Sequence, residues 1–159
     1  MTEKITDLLT AGAKTYWQET AAFMCHNTCT KGHAVSVDAL CRVTNSSSLT
    51  LHRVIGIAMN NGTSGDLVKV LLKGYCDFAD SGANGLATTD MVVIATNGGT
   101  IMGLTQAELT GPGGLAQLGL YAVGVPLASA DADGIATIWV GHKAIGAGVP
   151  ATWTPWEDE

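Results

Sequence analysis

The sequence predicts a mainly β protein, a single domain made of two degenerate β modules with an arm at either end. Three observations predict it. Apolar and polar residues alternate with a period of two from Lys31 to Arg53 and in the runs that follow. Short runs rich in Val, Ile and Thr are separated by clusters of Asn, Gly, Asp and Ser, and 20 glycines punctuate the chain far more often than a helical bundle tolerates. One pattern also recurs. The apolar, turn, apolar succession of Val54–Gly74 returns 68 positions later as Ala122–His142, placing Gly56 on Gly124, Ile57 on Val125, Leu67 on Ile135 and Val70 on Ile138.

Residues 1–24 stand apart as an N-terminal arm or short helix. Ile5, Leu8, Leu9 and Ala13 have helical spacing behind a Thr2 or Thr6 cap, Gly12 weakens that helix, and Thr20–Phe23 reads as extended. Such a segment either docks on its own domain or lies on a neighbouring subunit, with Tyr16, Trp17 and Phe23 as aromatic anchors. Module one spans about 25–78. Its strands run through Ala34–Asp38 and Leu40–Thr44, turn at Asn45–Ser48, and enter the hairpin of Val54–Met59 and Leu67–Gly74 around the polar loop Asn60–Asp66. After the loop Asp80–Gly85, module two spans about 86–143. There Thr89–Val92 takes the place of Gly32–Val35 at a spacing of 57, the strand continues to Thr96, and Asn97–Gly99 is a tight turn. A spacing of 57 here against 68 at the hairpins requires an 11-residue insertion, for which Gly103–Gly114 is the natural place. Residues 144–159 form a C-terminal arm, because Pro150, Pro155, Gly146 and Gly148 forbid a long regular element. Its Trp153 and Trp156 either fold back on the β domain or bury in a neighbouring protein.

Composition narrows the function. With 159 residues the chain can bury roughly two-thirds of its extended surface, and 47% hydrophobic against 14% charged residues argues for a packed core over disorder. The net charge of −6 and the scatter of eight basic residues leave no stripe for nucleic acid. No apolar run approaches the roughly 20 residues of a membrane helix. With no signal-peptide pattern, the expectation is synthesis in a reducing cytoplasm with Cys25, Cys29, Cys41 and Cys76 as free thiols.

Catalytic chemistry has little to stand on. Cys25, Cys29 and His33 are the one set that could ligate zinc, yet Cys-x3-Cys-x3-His lacks the distant second pair of a structural site. Buried cysteines acting as small apolar residues are the plainer account. The glycine turns are not phosphate loops, since neither precedes a helix nor ends in Gly-Lys-Ser/Thr. The expectation is a non-enzymatic protein with no cofactor and no metal.

The succession Lys31–Val37, Val54–Met59, Ser64–Gly74, Ala87–Val92 and Gly98–Ile101 resembles that of bacteriophage head-decoration proteins, also called capsid cement or stabilisation proteins. It departs from their pattern at His33, where an acidic residue is usual, and at Thr89, where glycine is. The resemblance implies a compact β-barrel or β-tulip that forms a homotrimer on the capsid exterior. The partner it implies is the major capsid protein, whose capsomers it would bridge after synthesis in the host bacterial cytoplasm. Two rival readings remain: a tail fibre or receptor-binding module, and a metal or thiol enzyme using Cys25, Cys29 and His33.

Overall fold

A computed structural model describes residues 18–111 and 122–141. These residues form a curled antiparallel sheet, barrel-like and mainly β as the sequence predicts. The strands are β1 (Gln18–Met24), β2 (Thr28–Cys29), β3 (Ala34–Val37), β4 (Val43–Asn45), β5 (Val54–Ala58), β6 (Gly62–Thr63), β7 (Leu67–Asp80), β8 (Val92–Ala95), β9 (Ile101–Leu104), β10 (Ala122–Ala128) and β11 (Ile135–Val140). The sheet runs β4-β3-β5-β7-β11-β10-β8-β9, with β1 also on β7, while β2 and β6 pair separately. Among the described residues a 3-10 turn (Leu51–Arg53) and one short helix, α1 (Gln106–Thr110), complete it. Thr105 caps α1 reciprocally with Glu108. No helix among the described residues is long and apolar enough to cross a membrane.

The sheet order is a palindrome, because the second half repeats the first. Val35 lies opposite Gly56 and Ser36 opposite Val54; in the second copy Val93 lies opposite Gly124 and Ile94 opposite Ala122. Val37 pairs with Val43 as Ala95 pairs with Ile101. Ile57 pairs with Leu71 and Ala58 with Val70, as Val125 pairs with Trp139 and Pro126 with Ile138. The spacing of 68 at the hairpins therefore holds in register. At the preceding strands it is 58, one residue more than the 57 read from sequence, so the insertion is ten residues long. It falls between β9 and β10, where α1 sits.

Each copy also has a first strand, and the two come from different places. β1 pairs with the first half of β7, Phe23 facing Val68 and Met24 facing Leu67. The second half of β7 pairs with β11 in the same way, Ala79 facing Ala136 and Asp80 facing Ile135. The residue after each first strand repeats its bond: Cys25 N donates to Asp66 O (2.7 Å), and Ser81 N donates to Gly134 O (2.8 Å). β7 is 14 residues long because it ends one copy and begins the next. Its β1 register slips between Leu71 and Lys73, and with Val70 and Leu71 both buried the strand passes between two apolar layers.

Module one curls until it closes. Cys25 bridges Val43, and His26 N donates to Val43 O (2.8 Å), joining the end of β1 to the far edge strand β4. Inside lie Cys25, Cys29, Val35, Val43, Ala58, Val68 and Val70. Module two closes more loosely, through Asn84, whose Nδ2 donates to Ile101 O (3.2 Å). Its interior positions Val93, Ile101, Ala136 and Ile138 belong to a larger core that also takes Ala34, Val54, Ile57 and Leu71 from the outer side of module one. The two barrels thus share apolar surface as well as a strand. Each fully buried Leu, Ile or Val in this layer contributes about 1.5–3 kcal/mol.

Candidate interaction surface

Where the copies meet, the β8–β9 turn of module two is seated on module one. Ala34 N donates to Gly99 O (2.6 Å), Gly98 N to Ser46 O (2.8 Å), and Ser48 N to Asn97 Oδ1 (3.1 Å). The buried Ser46 hydroxyl donates to Thr96 O (3.0 Å). His33 completes the seat, with Nδ1 3.1 Å from Gly98 O and Nε2 3.2 Å from Asp80 Oδ2. Gly99 adopts a φ of +97°, and a Cβ there would come 2.9 Å from His33 Cβ, so both backbone and space call for glycine. Seat and tip are both polar.

The corresponding β3–β4 turn of module one, Asp38–Arg42, has no such seat among the described residues. It is held from within. Asp38 Oδ1 accepts from Leu40 N and Arg42 N (both 2.9 Å), and Oδ2 accepts from Arg42 Nε (2.8 Å) and Nη2 (2.7 Å). Bonds from the Arg42 amide first, then its guanidinium and the Leu40 amide, lower the Asp38 carboxyl to about 2. Cys41 takes a φ of +60° where the second copy has Gly99, and Leu40 at the tip is 72% exposed. On module two, the positions matching His33 and Met59 are Met91 and Leu127, 51% and 46% exposed. Leu40 is thus exposed at a turn whose counterpart is seated through polar bonds, while of the positions matching that seat Met91 is exposed and Val92 and Leu104 are buried.

Of the aromatic anchors expected from sequence, Tyr16, Trp17, Trp153 and Trp156 lie outside the described residues. Phe23 is half-buried against the interior of module one, so its ring is engaged largely by its own barrel. Its neighbour Met24 points outward beside the exposed Leu67, its cross-strand partner. Alternation alone does not reveal this pair, which depends on the register of β1 on β7.

Cys25 and Cys29 sit in the module-one interior with Sγ atoms 3.2 Å apart, while His33 is engaged at the module boundary. Among the described residues, no group of three or more His, Cys, Asp or Glu is placed to hold a metal ion. All four cysteines are free thiols. An open depression of about 460 Å³ at β2 and β6 contains one carboxylate, Asp66. That group already accepts from Thr63 N (2.8 Å) and Oγ1 (2.9 Å), bonds that lower its pKa. The depression offers hydroxyls and amides but no spare acid, base or nucleophile beyond the buried Cys29.

The fold is similar to that of a phage head fibre component. The head fibre gp8.5 N base of bacteriophage phi29 superposes with a TM-score of 0.54 at 10% identity, over 79% of this chain and 96% of that one. At that identity the likeness is one of fold. No family model and no curated protein matches the chain in sequence.

Proposed function

We propose that this chain is a non-enzymatic phage capsid decoration protein, a homotrimer on the exterior of the head that bridges capsomers of the major capsid protein. The observation that supports it most is the fold similarity to a head fibre base across nearly the whole of that structure. The sequence pattern of head-decoration proteins points the same way. A rigid pair of barrels suits such a role, since each copy touching several capsid subunits multiplies modest contacts through effective concentration. Terminal segments carrying Tyr16, Trp17, Trp153 and Trp156 are the candidate capsid contacts.

The test is co-sedimentation with empty expanded heads. The full chain is expected to pellet with heads, and removal of residues 1–17, which leaves β1 whole, or of 151–159 is expected to weaken binding at least about tenfold. Unchanged binding by both truncations sinks the arm contacts, and no binding by the full chain sinks the decoration role. A second reading, the base of a head fibre, is favoured by the phi29 protein that shares the fold. Copy number in purified virions separates them: close to capsomer number for decoration, a small set for a fibre.

A further inference from the structure

We propose that Asn84-Gly85 is a self-modification site, at which the Gly85 nitrogen displaces the Asn84 side-chain amide and the closure of module two opens in consequence. The inference goes beyond the decoration reading and does not depend on it. The sequence holds three Asn-Gly pairs, Asn61-Gly62, Asn84-Gly85 and Asn97-Gly98. Glycine has no Cβ to hinder the five-membered imide that forms between such neighbours. In that reaction Gly85 N bonds to Asn84 Cγ and the Cγ–Nδ2 bond breaks, the amide leaving as ammonia with the Gly85 proton. Water then opens the imide at either carbonyl, giving aspartate or isoaspartate. The structure separates the three pairs. Gly98 N donates to Ser46 O (2.8 Å) and Asn97 Oδ1 accepts from Ser48 N (3.1 Å), so nucleophile and carbonyl are both tied to module one. Gly62 is buried in β6, with its Cβ position 2.5 Å from a Val68 methyl, and Asn61 Oδ1 accepts from Lys31 N (2.8 Å). Gly85 is exposed, has open space around its Cβ position, and has no acceptor for its N–H among the described residues. Its nitrogen can attack without first breaking a bond.

The same two residues close module two over β9, the end strand of the sheet. Asn84 Nδ2 donates to Ile101 O (3.2 Å) and to Thr100 Oγ1 (3.0 Å), and Gly85 O accepts from Gly103 N (3.4 Å). The nitrogen that leaves is therefore the donor of both side-chain bonds. A carboxylate in its place has no proton to give and sets oxygen against the Ile101 carbonyl. Thr100 offers little relief. The Thr96 hydroxyl donates to Thr100 O (2.9 Å), which leaves the 2.7 Å contact between the two hydroxyls to the Thr100 proton. That proton can turn to a carboxylate only by leaving Thr96. Isoaspartate does more, because its main chain runs through the former side chain. The added methylene displaces the Gly85 carbonyl from Gly103 N. Either product uncovers β9, and the unpaired groups of an edge strand accept further strands. Loss of ammonia makes the change one-way.

Ageing the full chain in warm, mildly alkaline buffer and mapping its peptides by mass tests this, with a urea-unfolded sample beside it. In the folded chain Asn84 is expected to convert at least about tenfold faster than Asn61 and Asn97, and in urea the three rates converge. Amide hydrogen exchange is the second readout. At Gly103 it is expected to quicken at least about tenfold in the aged chain and in freshly made Asn84→Asp. Should Asn84→Asp fail to fold, the aged wild type carries that measurement alone. No conversion at Asn84, conversion of Asn61 or Asn97 as fast in the folded chain, a lead of Asn84 that persists in urea, or unchanged exchange at Gly103 after conversion overturns the proposal. Head binding is measured separately, so each of these results leaves the decoration reading where it stood.

Discussion

Cys25 and Cys29 lie 3.2 Å apart inside module one, and burial, with the neighbouring thiol second, pushes Cys29 up to about 12. Desolvation likewise pushes Cys76, between the modules, up to about 12. Neither has thiolate to offer at neutral pH, and Cys25 is equally shut away from solvent. Cys41 is the exposed thiol, at the β3–β4 turn. At pH 8 an aromatic disulfide reagent is therefore expected to titrate one thiol in the folded chain and four after denaturation. Two or more fast thiols in the native state would mean that the module-one barrel is open. From the sequence, cysteines as small apolar residues describes three of the four. Cys41 escapes that reading because its exposure depends on a left-handed turn that a period of two cannot show.

Among the elements, the hairpins were legible and their partners were not. Gly56 and Gly124 stand out in sequence as matched positions, and the structure gives the reason. A Cβ on Gly56 would strike the Leu71 carbonyl, and one on Gly124 the Trp139 carbonyl, the same pairing position in each copy. Both obstacles are main chain of a central strand and cannot swing aside. Gly56→Ala and Gly124→Ala are each expected to cost about 1–3 kcal/mol or more in urea unfolding. A neutral effect at either site would mean that the close approach is not real. What the sequence concealed was the pairing of β1, whose Thr20–Phe23 it reads as extended, and the double use of β7. Alternation shows that a strand exists and which side is apolar, but its neighbours are chosen by residues some 50 positions away. The Val70-Leu71 break in alternation, where the strand changes layers, was the one local trace of that double use. Closure of module one through Cys25 and Val43 left none, since a single bridge imposes no periodicity.

At the scale of the whole molecule, a common strand and a common core leave no seam along which the barrels can part. Heat is expected to unfold them in one transition, with calorimetric and van't Hoff enthalpies equal. Leu71→Ala, in the layer between the barrels, is expected to lower stability by about 2–5 kcal/mol and to move that transition without splitting it. Two resolved transitions would show that the modules are separate folding units joined only by chain.

The plan by which β7 serves both barrels also limits how such a chain can lengthen. A further barrel cannot be hung from a flexible tether, because its opening strand must be the outgrowth of the one before. In a gene built this way, segments are added by elongating a terminal strand in register, and an insertion that shifts β7 by one residue turns both interiors outward together.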